Sequence, residues 1–276
     1  RLPISKAAAG AAPVQVDRIR NFPSSDLGNL RALEITLPPD YDSSAADYPV
    51  LYLNDGQDAN ALRLKRTLET LFAAGAIQPL IVVAVPTTSN RINEYGVAGH
   101  PDYKGRGAKA AEYSHFLLAE VMPYVNAHYR TRPGPADTAI LGASLGGLSA
   151  FDIAWNHPDV FGAAGVFSGS FWWRDDNTGP TAQQESRILH RIVRASIERP
   201  ALRFWLQAGT LDETEDRDGN GVIDAIQDTT ELMDELALKG YRAGSDMLYV
   251  QVEGGTHSPS AWAKVLPDFL KWAFPP

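Results

Sequence analysis

Thr138-Ala139-Ile140-Leu141-Gly142-Ala143-Ser144-Leu145-Gly146-Gly147 is the stretch that decides the fold. Residues 138–141 read as a short buried strand. Residues 142–146 fit the pattern G-x-S-x-G, and residues 147–154 read as a helix. Strand, sharp turn and helix in this order make a nucleophile elbow, which lifts a serine hydroxyl clear of a sheet. The two glycines let the backbone turn where a side chain would clash. The stretch therefore points to acyl transfer through Ser144, with an ordinary tight turn as the bland alternative.

Working outward, short apolar runs recur on both sides of the elbow. Residues 50–53, 80–85, 164–167, 204–208 and 247–252 are continuous rather than alternating, which suits parallel strands covered on both faces. Residues 30–37 roughly alternate, as an edge strand would, and Pro38-Pro39 ends them. Helical spacing appears at 61–74 (Leu64, Leu68, Leu71, Phe72), at 110–127 (Phe116, Leu117, Val121, Val125), at 186–197 and at 261–274. Strands alternating with helices predict a doubly wound, mostly parallel α/β sheet with helices on both faces. Ligands in such sheets sit at the carboxyl ends of the strands. The sequence reads as one domain over 1–276, with 1–28 as an irregular entry segment.

Composition narrows the function. The chain has 276 residues, 44% hydrophobic and 21% charged, with a net charge of −8. These are ordinary values for a globular protein, and the acidic balance argues against nucleic-acid partners. No run reaches the ~18 apolar residues of a membrane span. There are no cysteines, which excludes disulfides, thiolate metal sites and a cysteine nucleophile. The first residue is Arg1, as in a processed or trimmed chain; a secreted or periplasmic protein is expected, with the cytoplasm as the alternative.

A serine hydroxyl needs a base. In α/β-hydrolases the order along the chain is Ser, then Asp or Glu, then His. Of six histidines, only His190 and His257 lie well downstream of Ser144. His190 falls in an amphipathic stretch, where a solvated helix face is expected. His257 follows Gly254-Gly255-Thr256 just past the last strand and is the expected base. Asp212, past the strand at 204–208, is the expected acid, with Glu213 as rival. The oxyanion needs backbone N–H donors. Leu145, after the nucleophile, is one. Gln57, in Asn54-Asp55-Gly56-Gln57-Asp58, is the other, with Gly56 next.

At this point the chain resembles a known family. Residues 51–57 (LYLNDGQ), 91–95 (RINEY), 142–147 (GASLGG), 168–173 (SGSFWW) and 255–257 (GTH) occur in this order. The set is similar to the Putative esterase family of α/β-hydrolases, which includes feruloyl esterases, S-formylglutathione hydrolase, enterochelin-type siderophore esterases and mycolyltransferases. The resemblance runs from about Leu33 to the C-terminus. It implies an α/β-hydrolase fold and a serine hydrolase with Ser144, Asp212 and His257 as triad. The Asn-Asp-Gly-Gln loop looks closest to the siderophore-esterase branch. Trp172 and Trp173 are then expected either to wall a phenolic acyl group or to pack the core, and Arg91, Glu94 and Tyr95 to line the site. A structural Arg–Glu pair is the alternative for the last group.

A second motif follows the acid. Residues 216–224 match the calcium-loop pattern D-x-[DN]-x-[DN]-G. Asp216, Asp218 and Asn220 supply side-chain oxygens, Val222 a carbonyl, and Asp224 stands at position 9. Gln227 occupies position 12, where a bidentate Glu belongs. A weak structural calcium is expected, with an Asx-rich turn that binds no metal as the alternative, and no cofactor for catalysis. The sequence expectation is thus an esterase for a small-molecule or glycan-linked ester. An acyltransferase with the same triad and a non-catalytic binding protein are the alternatives.

Overall fold

Residues 12–276 are described by the computed structural model of the chain. Among them run eight strands: β1 (Gln15–Ser24), β2 (Asn29–Leu37), β3 (Val50–Asn54), β4 (Ile81–Val85), β5 (Thr138–Ala143), β6 (Ala163–Phe167), β7 (Arg203–Leu211) and β8 (Met247–Thr256). The helices are α1 (Leu64–Ala73), α2 (Arg91–Glu94), α3 (Ala110–His115), α4 (Met122–His128), α5 (Leu145–Asn156), α6 (Pro180–Glu185), α7 (Ile188–Ala195), α8 (Asp224–Leu238) and α9 (Pro259–Ala273).

The strands form one sheet in the order β1-β2-β4-β3-β5-β6-β7-β8. From β4 through β8 every pairing is parallel, while β2 pairs antiparallel with both β1 and β4. The runs that lack alternation, β3, β4 and β6, are buried at every position. They have core on both sides. Tyr52, Val83, Ile140, Val166 and Leu206 pack with α5, α7, α8 and the α3–α4 region. Leu51, Leu53, Val82, Leu141, Phe167 and Trp205 pack with α1 and α9. This is a mostly parallel α/β sheet with helices on both faces, as the sequence predicts.

Four expectations need correction. The entry segment is not irregular to residue 28: β1 begins at Gln15. A register shift between Ile19 and Phe22 breaks its alternation, and that hides it in the sequence. Residues 1–11 lie outside the described residues. β2 is not an edge, because β1 covers it. His190 lies on α7 but is 2% exposed; its Nε2 meets the Asp228 carbonyl at 2.8 Å. The apolar face of α7 is packed against α8, a helix with a moderate apolar stripe that the sequence reading did not mark.

The long helix expected at 110–127 is broken by a π turn, Phe116–Val121, between α3 and α4. Pro123 accounts for it: its ring removes an N–H and crowds the carbonyl of Ala119, so the preceding turn widens. No helix among the described residues is long and apolar enough to cross a membrane.

Candidate active site

Ser144 joins β5 to α5 at φ 56°, ψ −126°. Few residues with a Cβ adopt such angles, which cost of order 1–3 kcal/mol. The surroundings enforce them. A Cβ on Gly142 would lie 2.0 Å from the Gly146 carbonyl oxygen, so only glycine fits there. The Ser144 N–H donates to Phe167 O at 2.9 Å, and its carbonyl accepts from Gly147 N, Leu148 N and Ser170 N at 3.0–3.1 Å. The half-buried hydroxyl stands 3.4 Å from Ser170 Oγ. Leu145 opens α5, so its N–H has no acceptor within the helix.

The loop after β3 is tied directly to this elbow. Asn54 Nδ2 donates to Gly146 O at 2.8 Å, and Asn54 Oδ1 accepts from Tyr113 Oη at 2.8 Å. Asp55 is left-handed at φ 55°, and its N–H donates to Tyr95 Oη at 2.9 Å. Its carboxylate, 5% exposed, is gripped by Arg91 through Nε and Nη2 at 2.7 Å each. Gln57 Nε2 also donates to Asp55 Oδ1, and Gln57 Oε1 accepts from Thr87 N. A Cβ on Gly56 would lie 2.7 Å from the β4 backbone. The chain is therefore pressed against β4 there, in a one-turn 3-10 helix, Gly56–Asp58. The Gln57 N–H, in the first turn of that helix, has no acceptor within it.

Asp212 follows β7 and is 8% exposed. Its Oδ2 accepts from Gly209 N at 2.8 Å, and its Oδ1 from Ser168 Oγ at 3.0 Å. Ser168 Oγ in turn accepts from Trp262 Nε1 at 2.8 Å. His257 stands between the end of β8 and Ser258, whose side chain caps α9. The edge of the His257 ring meets Trp262 at 5.3 Å and 79°. Partial desolvation holds its pKa below the ordinary imidazole value; Asp212 pulls upward and Arg91 downward. The imidazole thus feels charges carried by the loop after β7 and by α2. Among the described residues it makes no hydrogen bond. Glu213 turns elsewhere: burial pushes it up to about 7, and the Ala225 N–H, in the first turn of α8, partly offsets that shift.

The expected lining residues divide. Arg91 keeps about a third of its side chain exposed. Trp172 is partly exposed, with Arg106 5.2 Å and Arg174 5.8 Å from its ring. Glu94, Tyr95 and Trp173 are fully buried and cannot line a cleft, which corrects the expectation. Glu94 forms a buried ion pair with Arg31 at 2.7 Å rather than with Arg91. Trp173 Nε1 donates to His100 O. The residues that sequence reasoning missed are Asp55, Ser168 and Trp262. Ser168 lay inside a quoted motif, but its positive φ of 47° has no sequence signal.

The loop at 216–224 closes on itself. Asp216 accepts from Asn220 N and Gly221 N, and Asp218 from Gln227 Nε2. Asp224 is paired with Arg217 at 3.0 Å, so the position-9 carboxylate is already neutralised. Among the described residues no group of three or more His, Asp or Glu side chains is arranged to hold an ion. The loop carboxylates are engaged by loop N–H groups, Gln227 and Arg217.

A family model described as Putative esterase matches residues 24–273. The chain belongs to that family. It is therefore a carboxylic ester hydrolase on an α/β-hydrolase-type sheet. This esterase is 23% identical over 251 residues to Uncharacterized protein YbbA of Bacillus subtilis, covering 88% of this chain and 92% of that one. Among solved structures, a ferulic acid esterase superposes with a TM-score of 0.73 at 20% identity, covering 95% of this chain and 98% of its own. The enterochelin esterase of Shigella flexneri gives 0.73 at 21% identity, covering 99% of this esterase and 63% of that chain. At such identities the likeness carries the fold.

Proposed function

We propose that this esterase cleaves its substrate through an acyl-enzyme on Ser144, with His257 as base and Asp212 as the acid that orients it. His257 removes the hydroxyl proton as Ser144 Oγ attacks the ester carbonyl. The oxyanion is met by the N–H groups of Leu145 and Gln57. His257 then passes the proton to the leaving alkoxide, and water repeats the cycle on the acyl group. The imidazole must turn onto Oγ when substrate is bound. Catalytic hydrogen bonds commonly tighten only once substrate is bound.

The observation that carries this reading is the strained Ser144 backbone at the mouth of α5, held by Gly142 and by four backbone hydrogen bonds. Asp212 rather than Glu213 is the acid because it is the carboxylate whose charge reaches His257.

For the acyl group we propose an aromatic acid. The partly exposed Trp172 near Ser170 offers a face for one, and the structural neighbours are named for ferulic acid and enterochelin. A panel of feruloyl, p-nitrophenyl and catecholate-trilactone esters tests this choice. Ser144→Ala tests the nucleophile: kcat should fall by about 10⁴-fold or more with the melting temperature unchanged. Turnover retained in that variant overturns the mechanism.

A further inference from the structure

The proposed oxyanion site carries an electrostatic problem that its neighbours solve. A Cβ on Gly146 would lie 2.6 Å from Asp55 Oδ2, so a carboxylate rests directly on the elbow, two residues past Ser144. Gln57, the proposed second donor, is two residues from Asp55 and bonded to its side chain. A bare carboxylate there opposes the negative charge that develops on the substrate oxygen. In a site shielded from water such a repulsion is large. Removing Asp55 altogether is no remedy, because its carboxylate organises the loop: Oδ1 gathers Gln57 Nε2 at 2.9 Å, Thr87 Oγ1 at 3.3 Å and Arg91 Nε at 2.7 Å.

We infer that Arg91 is a positioning residue for the oxyanion site, whose guanidinium both clamps Asp55 and cancels its charge. The inference rests on the acyl-enzyme reading above. A planar fork on two carboxylate oxygens is something a lysine cannot reproduce. The Arg91 stem comes from α2, after β4, and its guanidinium lies 5.1 Å from the Tyr95 ring. Tyr95 accepts the Asp55 N–H from below. Backbone and side chain of Asp55 are thus held from two directions by one four-residue helix and the residue after it. Asn54, bonded to Gly146 O, ties the same loop to α5. The two proposed donors, on different segments, are kept in register by this clamp.

The second consequence concerns the base. The Arg91 charge lowers the His257 pKa and the Asp212 charge raises it, while Trp262 packs against the ring. Removing the Arg91 charge should let the imidazole take up a proton more readily.

Three variants test the inference: Arg91→Gln, Arg91→Lys and the pair Arg91→Gln with Asp55→Asn. Asparagine tolerates the left-handed backbone at 55 and keeps an acceptor for Gln57 and Thr87. Arg91→Gln should lower kcat by about tenfold or more, with KM within about threefold, since the loss falls on the transition state. Arg91→Lys should recover part of that loss. The double variant should recover more than Arg91→Gln alone, because the uncancelled carboxylate is gone. The acid limb of kcat/KM should move to higher pH in both Gln-containing variants. If the double variant is as slow as or slower than Arg91→Gln while both remain folded by circular dichroism, charge cancellation is wrong. A loss confined to KM would assign Arg91 to substrate binding instead and overturn the positioning role. Fluorophosphonate labelling of Ser144 in each variant keeps the outcomes separate. Labelling lost in the wild type refutes the acyl-enzyme reading itself, whereas slowed labelling in Arg91→Gln alone belongs to the clamp.

Discussion

The indole N–H of Trp262, on the last helix, donates to Ser168 Oγ at 2.8 Å, and that hydroxyl stands 3.0 Å from Asp212 Oδ1. Trp262 also presents its ring to His257 at 5.3 Å. One side chain thus reaches Asp212 through a hydroxyl and His257 through its ring, although those two residues follow different strands. Asp212 owes its position to this relay and to the Gly209 N–H.

Trp262→Phe keeps the ring against His257 and deletes the donor. Ser168 then loses one bond and keeps its place, so the stability cost should be about 1 kcal/mol, read by urea denaturation. Ser168→Ala should cost more, about 1–3 kcal/mol, because it strands the buried indole N–H and leaves Asp212 with fewer donors. In both variants kcat should fall while KM holds. Wild-type kcat in Ser168→Ala contradicts the relay.

The rate should follow the neutral imidazole. The pKa of His257 is held below the ordinary value of about 6.5 by desolvation and by Arg91. A lowered pKa leaves the base unprotonated at lower pH, so the acid limb of kcat/KM should have its midpoint below 6.5. Asp212 opposes that shift. Asp212→Asn should move the midpoint lower still, while kcat drops by about 10³–10⁴-fold. A pH–rate profile on an aryl ester reads both effects.

His190 supplies a separate, structural pH dependence. Burial, reinforced by the Arg187 charge, depresses its pKa to about 3. Between that value and about 6.5 the unfolded chain binds a proton there that the folded chain refuses. Its contribution to stability is therefore complete above about 6.5 and is lost as the pH falls. His190→Gln retains a donor for the Asp228 carbonyl and does not titrate. Its melting temperature should fall less than that of the wild type between pH 7 and pH 5 in calorimetry.

Chelation should have no effect. Arg217 occupies Asp224, and loop N–H groups occupy Asp216 and Asp218. Melting temperature should be the same in EDTA and in millimolar calcium. A calcium-dependent rise of several degrees would show that these carboxylates turn onto an ion.

Much of this arrangement was legible in the residues themselves. The central strands announced themselves because burial on both faces leaves no room for polar residues. The elbow did so because Gly142 admits no Cβ. That Asp212 and His257 stand just past the ends of β7 and β8 followed from the apolar runs before them. What stayed hidden depends on partners distant in sequence. Nothing local marks Glu94 as the mate of Arg31, sixty-three residues away, or Asp55 as the mate of Arg91. β1 was hidden by its own register shift, and α8 by the acidic loop that precedes it. Trp262 reads as one more apolar position of a helix; its second role exists only where α9 passes under the β6 and β7 loops.

The most direct measurement is the intact mass of the protein quenched seconds after mixing with p-nitrophenyl acetate, followed by peptide mapping. An acetyl group on the peptide that carries Ser144, absent from Ser144→Ala and formed far more slowly in His257→Ala, is the expected outcome. Acetylation that survives in Ser144→Ala on another residue, together with unchanged ester turnover, contradicts the proposed nucleophile.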